Sequence, residues 1–439
     1  MRRFFTRAYW RRNLPRLRSP AGRSQLAINF IFRLWPRIAG PASLYRRTLT
    51  RRVRLVAVVG SLGKSTAARA VAAALGLPVR RVSERNEFTF VALGALRVRP
   101  WHRHAVVEVG IGMPGQMSLY RDMLRPDIVV VTSIATDHMK SLRTLEVTRA
   151  EKAEMLRELP ARALAVLNGD DPNVLWMRSQ TRARVVTCGF GEGNDIRASD
   201  VVCDWPRGTI FQVQARGQTA MARTGLIGRK FVYSALAAIA VGLEEGMALP
   251  GLLRALADLQ PTHQRLAPVV LPSGAVLLRD EFKSSLHSVD AAFDTLEEVP
   301  ARRKIVVLGD VTDYPGQSGD TYRRIGDRVG RIADRAVFLG DHAKTYAAAA
   351  FRAGMPRERI TKAKDDLPAA IRALPPDLGA GDVVLIKGRS NQRLGRIALA
   401  LQGRRIKCLI DSCPLFESVS CDHCGMLERG WPRPGAARR

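Results

Sequence analysis

Gly60-Ser61-Leu62-Gly63-Lys64-Ser65-Thr66 is a set of residues suited to holding phosphate. The glycines let the backbone turn sharply so that its N–H groups face an anion. Lys64 adds a compact cation, and Ser65 and Thr66 supply hydroxyls next to the start of a helical stretch. Only Ser61 and Leu62 separate the two glycines, so this is not the common G-x-x-x-x-G-K-[ST] loop; a tight βα turn with no ligand is the bland alternative. Glu108 ends the apolar run 105–107, where an acid beside a phosphate loop is a natural Mg²⁺ ligand together with the Ser65 hydroxyl. The competing reading of Glu108 is a carboxylate paired with a neighbouring arginine. Asp137-His138 follow the apolar run 128–132, again at a strand's carboxyl end, and His138 reads equally well as structural or as facing that crevice. Nothing in the spacing of Lys152 separates it from a solvated helix lysine.

A second group of reactive side chains lies near the end of the chain. Cys408-x₄-Cys413-x₇-Cys421-x₂-Cys424 places four of the six cysteines within seventeen residues, which favours a tetrahedral Zn²⁺ site over disulfides in a reducing compartment. Only the last pair has knuckle spacing, and an iron–sulfur cluster or unligated thiols are the alternatives. Cys188 and Cys203 fall in strand patterns and read as small core residues. Only eleven of the 70 basic residues are lysine, so a retained lysine marks a place where arginine chemistry fails. Lys64, Lys152, Lys283 and Lys387 all fall in the segments discussed here, although exposed-looking lysines such as Lys362 survive too.

These groups need elements to position them. Residues 55–59, 105–109, 127–132 and 163–167 read as buried strands, with helices at 67–75, 117–124 and 144–156 between them. Strands separated by helices imply a parallel, doubly wound sheet, an α/β fold. Residues 185–190 and 209–216 read as short strands of an antiparallel flank, and 233–244 as an alanine-rich helix. After a linker at 259–265, a smaller Rossmann-like α/β unit follows with strands at 275–278, 304–308, 335–339 and 382–386. The expected domains are 1–52, a basic amphipathic arm; 53–258, a central P-loop ATPase domain; 259–403, the second α/β domain; and 404–439, the four-cysteine tail.

The formal charge of +30 is uneven: residues 1–52 hold fourteen arginines and no acid. Such an arm seeks an anionic partner. Residues 26–35 form an aromatic, apolar patch inside it, too short to span a bilayer, so an anionic membrane surface is favoured over nucleic acid, and a basic helical arm packed on its own protein is the bland alternative. No nucleic-acid-binding signature accompanies the charge. Arg2-Arg3-Phe4-Phe5 lacks a following apolar run, so export is not expected; the expected location is cytoplasmic, peripheral on the inner membrane face.

In order along the chain, five segments resemble the Mur ligase family: residues 60–66; Glu108-Val109-Gly110 with Pro114-Gly115; Thr132-Ser133-Ile134-Ala135-Thr136-Asp137-His138; Leu145-Glu146 through Lys152; and Val166-Leu167-Asn168-Gly169-Asp170-Asp171-Pro172. Fainter likenesses are Arg265, Asp280-Glu281-Phe282-Lys283, Val307-Leu308-Gly309-Asp310 and Val384-Leu385-Ile386-Lys387-Gly388.

The resemblance implies ATP bound through Gly60, Ser61, Gly63, Lys64, Ser65 and Thr66, with Lys64 on the β- and γ-phosphates. Ser65 and Glu108 would hold one Mg²⁺, and His138 a second that is bridged by a carbamate on Lys152. Arg265 would reach the γ-phosphate and Asp280 the ribose. It implies an ATP-dependent ligase that activates a carboxylate as an acyl phosphate and joins it to an amine, in peptidoglycan or related cell-envelope synthesis. A glutamate-polymer ligase and a non-catalytic nucleotide-binding scaffold are the alternatives; a nucleic-acid-binding ATPase rests on charge alone. Two departures stand out. Only about 52 residues precede the first strand, where the family has a uridine-nucleotide domain. Gly228-Arg229-Lys230-Phe231 and Phe282-Lys283-Ser284-Ser285 replace the family's usual asparagine-bearing segments near the adenine and amine sites.

Overall fold

The computed structural model describes residues 34–431 apart from 80–85, 137–138, 315, 412, 414 and 416–418, together with positions 23, 26 and 30. Most of the apolar patch at 26–35 therefore lies outside the described residues.

The first unit opens with α1 (Trp35–Thr48) and then builds an eight-stranded sheet of order β2-β1-β3-β4-β5-β6-β7-β8. Its strands are β1 (Arg54–Val59), β2 (His104–Glu108), β3 (Ile128–Val131), β4 (Leu164–Asn168), β5 (Arg184–Gly189), β6 (Ile196–Asp204), β7 (Gly208–Ala215) and β8 (Gln218–Thr224). Strands β2 to β6 are parallel, and β6-β7-β8 turn back on one another antiparallel. Helices α2 (Lys64–Ala74), α3 (Thr89–Arg97), α4 (Gln116–Leu124), α5 (Leu145–Arg157), α6 (Val232–Glu244) and α7 (Leu249–Ala257) cover it.

The β-branched run of β1 explains its central place. Val56 and Val58 face the core under α2 and α6, while Leu55, Ala57 and Val59 face the core under α1, α4 and α5. A strand with helices on both faces can be apolar at every position, which is why it reads as a continuous run rather than an alternation. Residues 184–189 are a correction to the expected antiparallel flank: they form a parallel strand beside β4, and the antiparallel part begins only at β6.

The second unit is a six-stranded sheet of order β13-β12-β11-β14-β10-β9, built from β9 (Ala267–Val270), β10 (Val276–Asp280), β11 (Arg303–Leu308), β12 (Arg335–Leu339), β13 (Ile360–Lys364) and β14 (Asp382–Lys387). All are parallel except the edge strand β9. Helices α8 (Leu286–Glu298), α9 (Ser318–Ile332), α10 (Ala343–Arg352) and α11 (Gly395–Leu401) pack on it.

The segment after α11 folds back onto this unit. Arg393 donates to Leu415 O and Val419 O, both at 2.6 Å, Arg396 to Cys408 O at 2.8 Å, and Cys413 N–H to Asn391 O. Leu427 and Cys421 pack on Leu399 of α11. Among the described residues no helix is long and apolar enough to cross a membrane.

Candidate active site

The parallel strands of both sheets end at one cavity of about 1030 Å³. Its walls carry the Gly60–Lys64 loop, Asn86, Glu108, Lys152 and Asn168 from the first unit. Arg265, Asp280, Lys283, His287 and Lys387 come from the linker and the second unit. Crevices at the carboxyl ends of parallel strands are where α/β folds bind ligands.

The phosphate loop has the expected form. After Val59 the chain turns at Gly60 (φ 144°), where a Cβ would run into the Thr132 hydroxyl, and again at Gly63 (φ 79°), the N-cap of α2. Both positions therefore need glycine. The loop is braced by the segment after β3: Ser61 N–H donates to Ser133 O at 2.8 Å, Leu62 N–H to Ser133 Oγ at 3.1 Å, and Ala135 N–H to Ser61 Oγ at 2.9 Å. Lys64 Nζ curls back to Gly60 O (2.9 Å) and Ser61 O (3.3 Å), so its charge stays over the loop.

Two buried oxygens here lack a partner among the described residues: Ser65 Oγ and Glu108 Oε2. Ser65 and Glu108 are only 1 % and 2 % exposed. Orphaned buried oxygens are costly, and a hydroxyl with a carboxylate beside a phosphate loop is a hard, oxygen-only donor set of the kind Mg²⁺ takes. The residues present fit that ion.

The other oxygen of Glu108 accepts from Asn86 Nδ2 at 2.5 Å, and Asn86 O takes the Gly110 N–H at 2.7 Å. The sequence offered no signal for Asn86 beyond a polar residue before an apolar helix.

Lys152 is not a solvated helix lysine. It is 2 % exposed, and its Nζ donates to Ser61 Oγ at 2.7 Å, which places α5 against the phosphate loop. Asp137 and His138 lie outside the described residues. Their neighbours are fixed by β4: Asn168 Nδ2 donates to Thr132 O, and Asp171 Oδ2 accepts from Ile134 N–H at 2.8 Å.

On the side formed by 228–234, Phe231, Tyr233, Ser234 and Cys188 line an apolar recess of the cavity. Asp170 sits at its rim. Burial opposes its charge, but hydrogen bonds from Phe190 and Gly191 N–H, Asn194 and Tyr233 hold the carboxyl below its usual range. Tyr233 and His287, which pairs with Thr136 Oγ1 at 3.1 Å, were not singled out from the sequence.

In the second unit Arg265 lines the cavity, lies 4.5 Å over the Phe282 ring and has a buried Nε without a partner among the described residues. Asp280 and Lys387 are register partners at the ends of β10 and β14, with Oδ2 to Nζ at 2.7 Å. The other Asp280 oxygen accepts from Leu266 N–H at 3.2 Å, so both carboxylate oxygens already have partners within the chain. Burial pushes the Asp280 carboxyl up to about 6 and the Lys387 ammonium down, against their mutual attraction.

One wall comes from the tail. Val419 and Ser420 line the cavity, and Asp422 accepts from buried Arg279 at 2.6 and 3.1 Å while lying 3.1 Å from His263 Nε2 in the linker. Arg279 also grips Glu281 Oε1 at 2.8 and 2.6 Å. Burial opposes charge on Asp422, yet His263, Arg279 and Ser420 hold its carboxyl far below the usual range.

The zinc expected at Cys408, Cys413, Cys421 and Cys424 is not shown. Among the described residues no group of three or more His, Cys, Asp or Glu side chains is placed to hold a metal ion. Cys421 packs with Leu399 and Leu427, Cys413 with Leu415 and Trp431, and Cys408 Sγ lies 3.8 Å from Arg396 Nη1. Burial, with Cys413 and Cys408 nearby, pushes the Cys421 thiol up to about 12 against the pull of Arg393 and Arg396.

Comparison with known proteins gives two family matches: the Mur ligase middle domain over residues 58–242 and the Mur ligase glutamate ligase domain over residues 264–390. The chain is 26% identical over 302 residues to the UDP-N-acetylmuramoyl-tripeptide–D-alanyl-D-alanine ligase of Escherichia coli, covering 67% of this chain and 66% of that one. With the Mycobacterium tuberculosis enzyme of the same name it shares 28% over 375 residues, covering 79% and 72%. The chain thus spans about two thirds of the length of these relatives. A MurF structure from Acinetobacter baumannii superposes with TM-score 0.73 at 20% identity, covering 84% of this chain and 80% of that one. A MurF ligase from Thermotoga maritima in complex with ADP gives TM-score 0.71 at 19% identity, covering 84% and 83%. A folylpolyglutamate synthase from M. tuberculosis gives 0.63 at 18%, covering 88% of this chain and 99% of that one.

Proposed function

Because this chain belongs to the Mur ligase family, we propose that it is an ATP-dependent carboxylate–amine ligase working through an acyl phosphate. The observation that carries this reading is the meeting of Lys152 Nζ with Ser61 Oγ inside the phosphate loop, in a cavity that Arg265 enters from the second unit.

ATP would lie with its phosphates on the 60–66 loop, where the N-terminus of α2, the loop N–H groups and Lys64 favour negative charge. Ser65 and Glu108, with His138, would hold Mg²⁺, which neutralises charge on the phosphates when bound. A substrate carboxylate attacks the γ-phosphorus; the P–O bond to ADP breaks as the acyl–phosphate bond forms. The amine then attacks the acyl carbon, phosphate leaves, and the amine's proton passes to solvent or a base. Arg265, which lines the same cavity, would stabilise the transferring phosphoryl group. Lys152, as a buried amine beside the loop, can lose its proton and take up CO₂ as a carbamate; an arginine could not.

The substrate class follows the relatives' names: a muramoyl peptide joined to D-alanyl-D-alanine. A glutamate-adding reaction is the second reading, favoured by the match to nearly the whole length of a folylpolyglutamate synthase. The test is phosphate release by the purified protein with ATP, Mg²⁺ and bicarbonate, pairing UDP-muramoyl peptides with D-alanyl-D-alanine and glutamate-type carboxylates with amino acids. Turnover with the muramoyl pair alone supports the first reading and turnover with the glutamate pair alone the second. No turnover with either, while ATP still binds, would leave a nucleotide-binding scaffold.

A further inference from the structure

The parallel strands of the first sheet begin on the edge opposite the cavity, and that edge is strongly basic. Arg51 and Arg52 precede β1, Arg99 and Arg103 precede β2, Arg125 precedes β3 and Arg162 precedes β4, all of them exposed. None of the six makes an ion pair among the described residues.

Acids nearby already have partners within the chain. Asp127 pairs with Arg46 at 2.9 Å, and Glu245 pairs with Arg54 at 2.6 Å and with His104 at 2.8 Å. The exposed Asp122 and Glu158 share Arg121.

Large apolar side chains stand on the same edge. Trp101 is 79 % exposed in the loop before β2, and Leu44 and Leu49, at the end of α1, are 63 % and 61 % exposed. The packing holds these loops together: Arg54 N–H donates to Arg103 O at 3.0 Å, Tyr45 Oη to Val98 O at 2.7 Å, and Val53, Val98 and Ala105 form a small buried cluster between them.

We propose that this edge docks on an anionic phospholipid surface, with the arginines on the head groups and Trp101, Leu44 and Leu49 in the interfacial layer. Unpaired cations beside an exposed tryptophan are the combination an anionic bilayer surface rewards, since the indole ring sits at head-group level and each nearby cation adds attraction. Exposed leucines gain nothing from a phosphate backbone, which favours lipid over nucleic acid. The ligase residues lie at the other end of the strands, so this docking leaves the cavity mouth clear and does not depend on which reaction occurs there.

The test is co-sedimentation of the full chain with vesicles of phosphatidylcholine alone or mixed equally with phosphatidylglycerol. The full chain should sediment with the phosphatidylglycerol vesicles, and less so as salt is raised. Arg99→Glu, Arg103→Glu and Trp101→Glu together should lower the partition coefficient at least about tenfold, while Arg99→Lys with Arg103→Lys stays within about threefold of wild type. ATP affinity should not change in either variant, which separates docking from damage to the fold. Wild-type-like binding by the triple-glutamate variant would give the interaction to residues 1–33 and overturn the proposal. So would wild-type binding that is equal on both vesicles, or absent from both. Tighter capture by a DNA duplex than by vesicles would assign the edge to nucleic acid and overturn it as well.

Discussion

Lys152 Nζ and Ser61 Oγ, 91 positions apart in the chain, lie 2.7 Å from each other with the lysine almost wholly buried. A lysine is held at that depth only when its amine has work that a surface residue could not do. Lys152→Ala and Lys152→Arg should both lower the rate of ATP-dependent amide formation by on the order of 100-fold, with the KM for ATP within a few-fold of wild type. Steady-state phosphate release measures both. An active Lys152→Arg enzyme would remove the carbamate from the mechanism, because arginine keeps the charge and cannot be carbamylated.

Glu108 presents one oxygen to Asn86, and the other has no partner among the described residues. Glu108→Gln should raise the Mg²⁺ concentration needed for half-maximal activity by about tenfold or more. Asn86→Ala should produce a smaller shift in the same direction, because Asn86 orients the carboxylate. A Mg²⁺ titration of turnover separates the two. Equal Mg²⁺ dependence in wild type and Glu108→Gln would take Glu108 out of the metal site.

Burial raises the Asp280 carboxyl to about 6 beside Lys387. A carboxyl whose folded pKa lies above its unfolded value favours the folded state when protonated. Its contribution is complete below about 4 and is lost as pH rises through about 6. Asp280→Asn should therefore gain stability relative to wild type as pH is raised from 4 to 7. Thermal unfolding of the two proteins across that range measures it; parallel curves would show that the carboxyl does not titrate there.

The Asp422–Arg279 contact joins the tail to the base of the cavity. Asp422→Ala leaves the buried Arg279 guanidinium with Glu281 alone. The expected loss is about 3 kcal/mol in stability, with earlier proteolytic cleavage after residue 403. Denaturant unfolding and limited proteolysis report the two effects. A tail that stays protease-resistant in this variant would mean that the Arg393 and Arg396 contacts suffice.

How much of this could be read from the residues depends on how local each cause is. The strand, loop and helix at 54–74 were legible because a β-branched run, two glycines at positive φ and an alanine-rich helix are each set by near neighbours. Lys152 carried no such signal; only the likeness of its surrounding segment marked it, because its burial is produced by α5 packing against a loop far away in sequence. Asn86, Tyr233, Val419, Ser420 and Asp422 were missed for the same reason.

The zinc expectation rests on a different signal. Spacing counts residues between thiols but says nothing about where they point; here Cys421 packs with Leu399 of α11 and Cys413 with Leu415. The parallel strand at 184–189 looked antiparallel because its length and composition are the same in either direction.

The wall formed by Val419 and Ser420 also sets an order of events. Every other residue lining the cavity, from Gly60 to Arg393, is translated before this pair. Domains fold in turn as they emerge during synthesis, so both sheets can form while one side of the cavity is still missing. The Asp422 contact with Arg279 can then close only after both sheets have been made, and a nascent chain gains this wall of the cavity later than the rest of it.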